Sequence, residues 1–207
     1  MISPTEFIPL AKECGLIMPL GNWVLRTACR EALNWPDDMI VAVNISPAQF
    51  RHADLAKEIL TVLSETGLAA HRLELEITEG VLIDDTDRVL ETLKRLKTAG
   101  VRISLDDFGT GYSSLSYLHR FPFDKIKIDR SFISDIGEPE DSSPIVQAVV
   151  HMAAARRMAT TAEGVETEAQ REVLRQLGCS QMQGWLFSPA VPAAKLKQLL
   201  SAQAAAA

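Results

Sequence analysis

Arg102-Ile-Ser-Leu-Asp-Asp-Phe-Gly-Thr-Gly-Tyr112 reads as a strand that runs straight into a pair of acids. Val101, Ile103 and Leu105 alternate with Arg102, Ser104 and Asp106, the period of a β-strand with one apolar face. The strand stops at Asp106 and Asp107, and a Gly-Thr-Gly loop follows whose glycines permit a sharp turn beside the acids. Adjacent carboxylates repel each other unless something cationic lies between them. A divalent ion such as Mg²⁺ or Mn²⁺ suits such oxygen ligands. Acids close to glycine are also ordinary turn chemistry, so the same letters admit a capped loop without metal.

Outward from this stretch, strands alternate with helices. The patterns predict helices over Pro4–Met18 and Leu20–Leu33, then a strand from Met39 to Ser46. A helix over Ala53–Thr66 stopping at Gly67, a strand over Arg72–Glu79 and a helix over Thr86–Thr98 lead into the Arg102 strand. After it come a short helix over Ser113–Arg120, a strand over Asp124–Asp129, a polar loop from Glu138 to Ser143, and a helix over Pro144–Arg156. A strand over Met158–Glu163, a helix over Glu166–Leu177, a last strand over Ser180–Gly184 and a weak helix from Ala194 complete the pattern. Such alternation predicts a parallel sheet with helices outside.

The strand faces refine this. Val41, Val43, Leu73, Leu75, Ile77, Ile103, Leu105, Ile126 and Ile128 form a helix-facing apolar set. The opposite set is polar: Asn44, Glu74, Glu76, Thr78, Ser104, Asp106, Lys125, Lys127, Asp129, Thr161, Glu163, Gln181 and Gln183. An open doubly wound sheet would be apolar on both faces. A polar interior with charges at the strand C-termini predicts a (β/α)₈ barrel with its site at that end. Only six strands are legible, and helices come first, so the expectation is one domain over residues 1–207, incomplete at its N-terminus.

With 207 residues, 47% of them hydrophobic and 23% charged, the chain has the composition of a globular domain. A net charge of −6 argues against DNA or broad anionic-membrane binding, and no apolar run is long enough to span a bilayer. Cys14, Cys29 and Cys179 have no metal-ligand spacing and read as buried thiols of a reducing, cytoplasmic compartment.

The strand-end residues, Asn44, Glu76, Asp106, Asp107, Lys127, Glu163 and Gln183, come from different strands apart from the Asp pair. Each has a plain structural reading: Asn44 bonding backbone, Glu76 paired with a lysine, Lys127 in an ion pair. Together, four carboxylates, two amides and a lysine suit two-metal phosphoryl chemistry. The residues alone also leave open an enolase-type lyase with carboxylate-bound Mg²⁺ and a lysine base.

Six segments carry a resemblance. Val43-Asn-Ile-Ser46, Glu74-Leu-Glu-Ile-Thr-Glu79, Asp106-Asp-Phe-Gly-Thr-Gly-Tyr112, Lys125-Ile-Lys-Ile-Asp129, Ala162-Glu-Gly-Val-Glu166 and Gln183-Gly-Trp-Leu-Phe187 resemble, in order, the EAL-domain family of bacterial cyclic di-GMP phosphodiesterases. The resemblance implies two metal ions, Mg²⁺ or Mn²⁺, held by Asn44, Glu76, Asp106 and Asp107, with Glu163 as a further ligand or an aid to the attacking water. It implies that Lys127 positions or deprotonates that water, that Glu79 anchors the loop after Asp107 through backbone N–H groups or Thr110 and Ser113, that Glu166 supports the site, and that Gln183 holds water or substrate. It also implies a homodimer within a longer chain carrying sensory or GGDEF-type domains.

Two departures stand out. The family's opening strands, with the Glu-Ala-Leu ligand and a phosphate-binding arginine, are expected before Ile2, which makes this chain alone weakly active or inactive by expectation. Glu31-Ala32-Leu33 spells the same letters within a predicted helix and is not taken as a ligand. Phe187-Ser-Pro-Ala lacks the family's usual basic residue after the serine. The runner-up function is an inactive receptor for the cyclic dinucleotide, or a protein-interaction domain.

Overall fold

The computed structural model describes residues 2–51, 54–83, 86–109, 115–136, 143–196 and 199. Their contacts divide the chain into two compact units, Met1–Ile126 and Lys127–Ala207.

The first unit opens with helices α1 (Pro4–Glu13) and α2 (Ile17–Ala32). Ser3 caps α1 by accepting from the Thr5 N–H, with Pro4 in the first turn where its missing donor costs nothing. The break between the helices falls earlier than the patterns predict: the Cys14 N–H donates back to Leu10 O and closes α1. Strand β1 (Val41–Asn44) is shorter than the predicted Met39–Ser46, because Ser46 caps a four-residue helix, α3 (Pro47–Phe50), in a reciprocal box with Gln49. That helix was not expected. Helix α4 (Leu55–Thr66) is capped by Asp54, which accepts from the Lys57 N–H at 3.0 Å, and it ends at Gly67 as predicted. Strand β2 (Leu73–Thr78), helix α5 (Thr86–Thr98), strand β3 (Arg102–Phe108) and helix α6 (Leu115–Arg120) follow.

Strands β1, β2 and β3 are neighbours in sequence order and run parallel, in a register that pairs Asn44 with Glu76, Glu76 with Ser104 and Thr78 with Asp106. Strand β4 (Lys125–Ile128) begins just after Asp124, whose N–H donates to Ile103 O at 2.8 Å while its carboxylate accepts from the Ile103 N–H at 2.8 Å. A second device fixes the start of β2. Arg72 is buried, and its guanidinium donates to the carbonyls of Met39 (3.0 Å), Ala32 (2.8 Å) and Pro36 (2.9 Å), tying the end of α2 and the following loop to the sheet.

In the second unit, helix α7 (Arg130–Ser134) follows β4 directly. Asp129, expected on the axis-facing strand surface, instead caps this helix by accepting from the Ser131 N–H at 3.0 Å, so β4 ends one residue before it. Helix α8 (Ser143–Ala155), strand β5 (Ala159–Ala162), helix α9 (Glu168–Gln176) and strand β6 (Gln181–Met182) complete the order, with β5 and β6 parallel. The expected polar loop from Glu138 lies outside the described residues up to Ser143, as does most of the expected terminal helix.

The helix-facing set is the core: Leu73, Leu75, Ile77, Ile103 and Ile126 are fully buried. The polar face is buried too, at Glu74, Glu76, Ser104, Asp106, Lys127 and Thr161. Among the cysteines only Cys29 is buried, and burial pushes its thiol up to about 11, which keeps it inert; Cys14 is exposed and Cys179 half-exposed, against the expectation of three buried thiols.

Candidate active site

In the first unit the candidate residues sit at the C-terminal ends of three adjacent strands. Asn44 closes β1 and donates from Nδ2 to Glu76 Oε2 at 3.0 Å across the β1–β2 register. That bond uses the amide's nitrogen, and the amide's oxygen is a separate acceptor. Glu76 and Asp106 are buried to 8% and 7% exposure. Asp107 is half-buried with φ +53°, a left-handed conformation that non-glycine residues rarely adopt. In a regular strand Asp106 and Asp107 would face opposite sides; this backbone turn frees Asp107 from that alternation, and strain of this kind is characteristic of functional positions.

Glu79, buried in the turn after β2, accepts from the Gly109 N–H through Oε1 at 3.2 Å, so its carboxylate holds the first residue after β3. Thr110 and Ser113, the hydroxyls expected to share that role, lie outside the described residues. Two residues before Glu76 on the same strand, Glu74 makes an ion pair with Lys125 at 2.7 Å, with side chains 3% and 13% exposed. Glu74 Oε2 and Ser104 Oγ have no hydrogen-bond partner among the described residues.

In the second unit, Lys127 Nζ lies 2.8 Å from Glu163 Oε1, with side chains 6% and 19% exposed. The Glu163 N–H donates to Ile128 O at 3.1 Å, which extends β5 alongside β4 by one residue and sets the carboxylate beside the ammonium. The next residues are tightly held. Gly164 has φ +71°, and a Cβ there would stand 2.6 Å from Arg130 Cβ, so only glycine fits. At Gly184 a Cβ would come within 2.1 Å of Val165 O. Gln183 lies just past β6, its N–H donating to Ala162 O and its carbonyl accepting from the Val165 N–H, while its side chain is exposed. Glu166 is exposed, and its backbone N–H donates to Gln170 Oε1 at 2.9 Å. Glu31 and Ala32 lie in α2, with Leu33 at its cap, so the Glu-Ala-Leu letters are helical as expected.

Sequence reasoning passed over two residues here. Gln170 is a buried hub of the Glu163 loop, and Thr167-x-x-Gln170 is the spacing of a capping box that marks it. Lys125 was placed on the polar face, but its pairing with Glu74 could not be read from spacing, because the partners are 51 residues apart.

The EAL domain family matches residues 1–190. The chain belongs to the EAL domain family. Among similar proteins, the cyclic di-GMP phosphodiesterase NbdA of Pseudomonas aeruginosa is 44% identical over 206 residues, covering 98% of this chain and 26% of NbdA. The phosphodiesterase of MucR, from the same organism, solved as a c-di-GMP complex, is 45% identical with a TM-score of 0.89, covering 94% of this chain and 81% of that one. A manganese and cyclic di-GMP complex of Klebsiella pneumoniae BlrP1 is 33% identical with a TM-score of 0.73, covering 81% of this chain and 42% of that one. The α/β fold with parallel strands expected from the sequence is thus the TIM-barrel type of solved EAL domains. The chain spans about a quarter to a third of the length of the curated relatives it matches. No described helix is long and apolar enough to cross a membrane.

Proposed function

We propose that this EAL domain is a metal-dependent phosphodiesterase that opens cyclic di-GMP to the linear dinucleotide pGpG. The observation that carries the reading is the register of β1, β2 and β3, which sets Asn44, Glu76 and Asp106 at adjacent strand ends with Asp107 next in the chain. Their donors are an amide oxygen and carboxylates, the hard oxygen set that suits Mg²⁺ or Mn²⁺. Asn44, Glu76, Asp106 and Asp107 would hold the metal, with Glu163 as a further candidate ligand. When bound, divalent ions lower the pKa of a coordinated water and offset the charge that builds on phosphorus.

The chain's own groups do the rest. Lys127, held by Glu163, is a hydrogen-bond donor that positions the attacking water and steadies the developing negative charge. Glu163, as the acceptor of that pair, takes a proton from the attacking water as the water oxygen bonds to phosphorus; the P–O bond to the departing sugar oxygen breaks, and that oxygen takes a proton from bulk water. Glu79 fixes the loop start beside Asp107 through the Gly109 N–H. Gln183 is exposed and free to meet substrate, and Glu166 supports the loop after Glu163. MucR carries a diguanylate cyclase activity in the same chain; this domain by the same reading works in a cytoplasmic protein with further domains, as a homodimer.

The test is product analysis with cyclic di-GMP and Mn²⁺. The expected result is a linear dinucleotide from the parent and a rate roughly 10²–10³ lower for Asp106→Asn and Lys127→Met, the usual loss for one transition-state contact. Tight binding without turnover would make the domain a receptor instead, and neither binding nor turnover would overturn the reading.

A further inference from the structure

Gln170 stands outside the charged set, yet its side chain touches both segments that carry the Lys127–Glu163 pair. It is only 9% exposed. Its Oε1 accepts from the N–H groups of Glu166 at 2.9 Å and Thr167 at 3.1 Å, in the loop that begins at Glu163. Its Nε2 donates to Ile133 O at 3.2 Å, in helix α7, which starts three residues after Lys127. One amide therefore uses both its acceptor and its donor to join the segment behind the acid to the segment behind the ammonium. A second link lies at Gly164, where the loop backbone runs against Arg130 too closely for any side chain. A plain helix cap would need only the Thr167 bonds. The donor to Ile133 lies outside the capping box and ties the loop after Glu163 to helix α7.

We propose that Gln170 is a positioning residue that sets the Lys127–Glu163 pair, so that the ammonium and carboxylate stay in one geometry through the reaction. The mechanical basis is that a buried ion pair is strong only at near-ideal geometry, and misplacement of a catalytic group by about 1 Å costs up to about 10²-fold in rate. The inference rests on the phosphodiesterase reading for its effect on turnover, but not for its effect on the pair.

The experiment compares the parent with Gln170→Leu and Gln170→Glu by amide hydrogen exchange, by the slowly exchanging ¹⁵N ammonium signal of Lys127, and by kinetics with cyclic di-GMP and Mn²⁺. Gln170→Leu keeps the volume and loses all three bonds. Its Glu166 and Thr167 amides should exchange roughly tenfold faster or more, the Lys127 ammonium signal should broaden away, and kcat should fall roughly tenfold with KM within about twofold. Gln170→Glu keeps both accepted N–H bonds and loses the donor to Ile133. It should restore protection at Glu166 and Thr167 but not the ammonium signal, a split that a cap alone would not produce. If Gln170→Leu does not fold, Gln170→Glu alone decides. An unchanged Lys127 signal in the folded variants overturns the proposal whatever the activity. A lost signal in a chain whose parent shows no turnover upholds the clasp and sinks the phosphodiesterase reading instead.

Discussion

The lower and upper halves of β2 set two buried glutamates in different company. Glu74 and Glu76 share one face of the strand, two residues apart, at 2% and 8% exposure. Glu74 lies 2.7 Å from the Lys125 ammonium, while Glu76 accepts from the Asn44 amide at 3.0 Å and stands in register with Asn44 at the strand ends. Taking a carboxylate out of water costs several kcal/mol after relaxation. A carboxylate that serves the fold is best matched by a full countercharge. Glu76 belongs instead to the group of strand-end oxygens, with Asn44, Asp106 and Asp107, that suits a divalent cation. The change from structural to chemical use thus occurs within one strand, over about 7 Å of rise.

The largest effects should separate these two roles. Lys125→Met leaves Glu74 buried without its countercharge, and Glu74→Gln does the same to Lys125. Each should lower unfolding free energy by about 3–5 kcal/mol, read from urea midpoints, whereas Glu74→Leu with Lys125→Met should recover most of it. Glu76→Gln keeps an oxygen to accept from Asn44 and should show its main effect in kcat/KM, lowered by roughly 10²–10³. If both glutamates cost stability and activity in the same proportion, the division of β2 into two halves fails.

A smaller effect should come from Arg72, the buried cation at the foot of the same strand. Its partners are mainly carbonyls, so its job is to satisfy chain ends rather than to neutralise acid. Arg72→Met keeps the packing of the stem and leaves those acceptors without a donor, at a cost of about 2–3 kcal/mol. Asp37, also within 3.3 Å of Arg72, has a fully exposed side chain, and Asp37→Ala should leave the unfolding curve where it is. A matching loss from Asp37→Ala would show that the charge pair, not the carbonyl bonds, anchors β2.

How much of this was legible in the sequence follows from the range of each interaction. The alternation of Ile103 and Leu105 with Ser104 and Asp106 is a property of neighbouring residues, and the apolar members of it are buried in the core. The family motifs are equally local and located Asn44, Glu76, Asp106, Lys127 and Glu163 on strands or at their ends. The four-residue α3 and the five-residue α7 escaped notice because neither is long enough to show a helical period. Ser46 and Asp129, read as strand residues, were the caps that announced them. The pairing of Lys125 with Glu74 and the reach of Gln170 to Ile133 depend on tertiary placement, which no local pattern encodes.

Asp129 supplies the finest test, because it is a charge used in a third way, on the backbone of a helix end. Burial alone would raise its pKa; the hydroxyl and N–H of Ser131, with the N–H and charge of Arg130, outweigh that and hold the carboxyl below its usual value. A folded pKa below the unfolded one means that the stabilisation is fully present above the ordinary carboxylate value of about 3.9 and is lost as pH falls through and below it. Asp129→Ala should therefore cost about 1 kcal/mol at pH 7, the usual loss of a capping side chain. That difference from the parent should shrink between pH 4 and pH 2. Asp129→Asn retains an oxygen acceptor and should stay within about 0.5 kcal/mol of the parent at pH 7, with a shallower loss of stability on the acid side. Urea midpoints of the three proteins at pH 7, 5 and 3 decide it. A parent-minus-Asn difference that does not change with pH would show that the charge of Asp129 is irrelevant, and that the cap at the start of α7 works by hydrogen bonding alone.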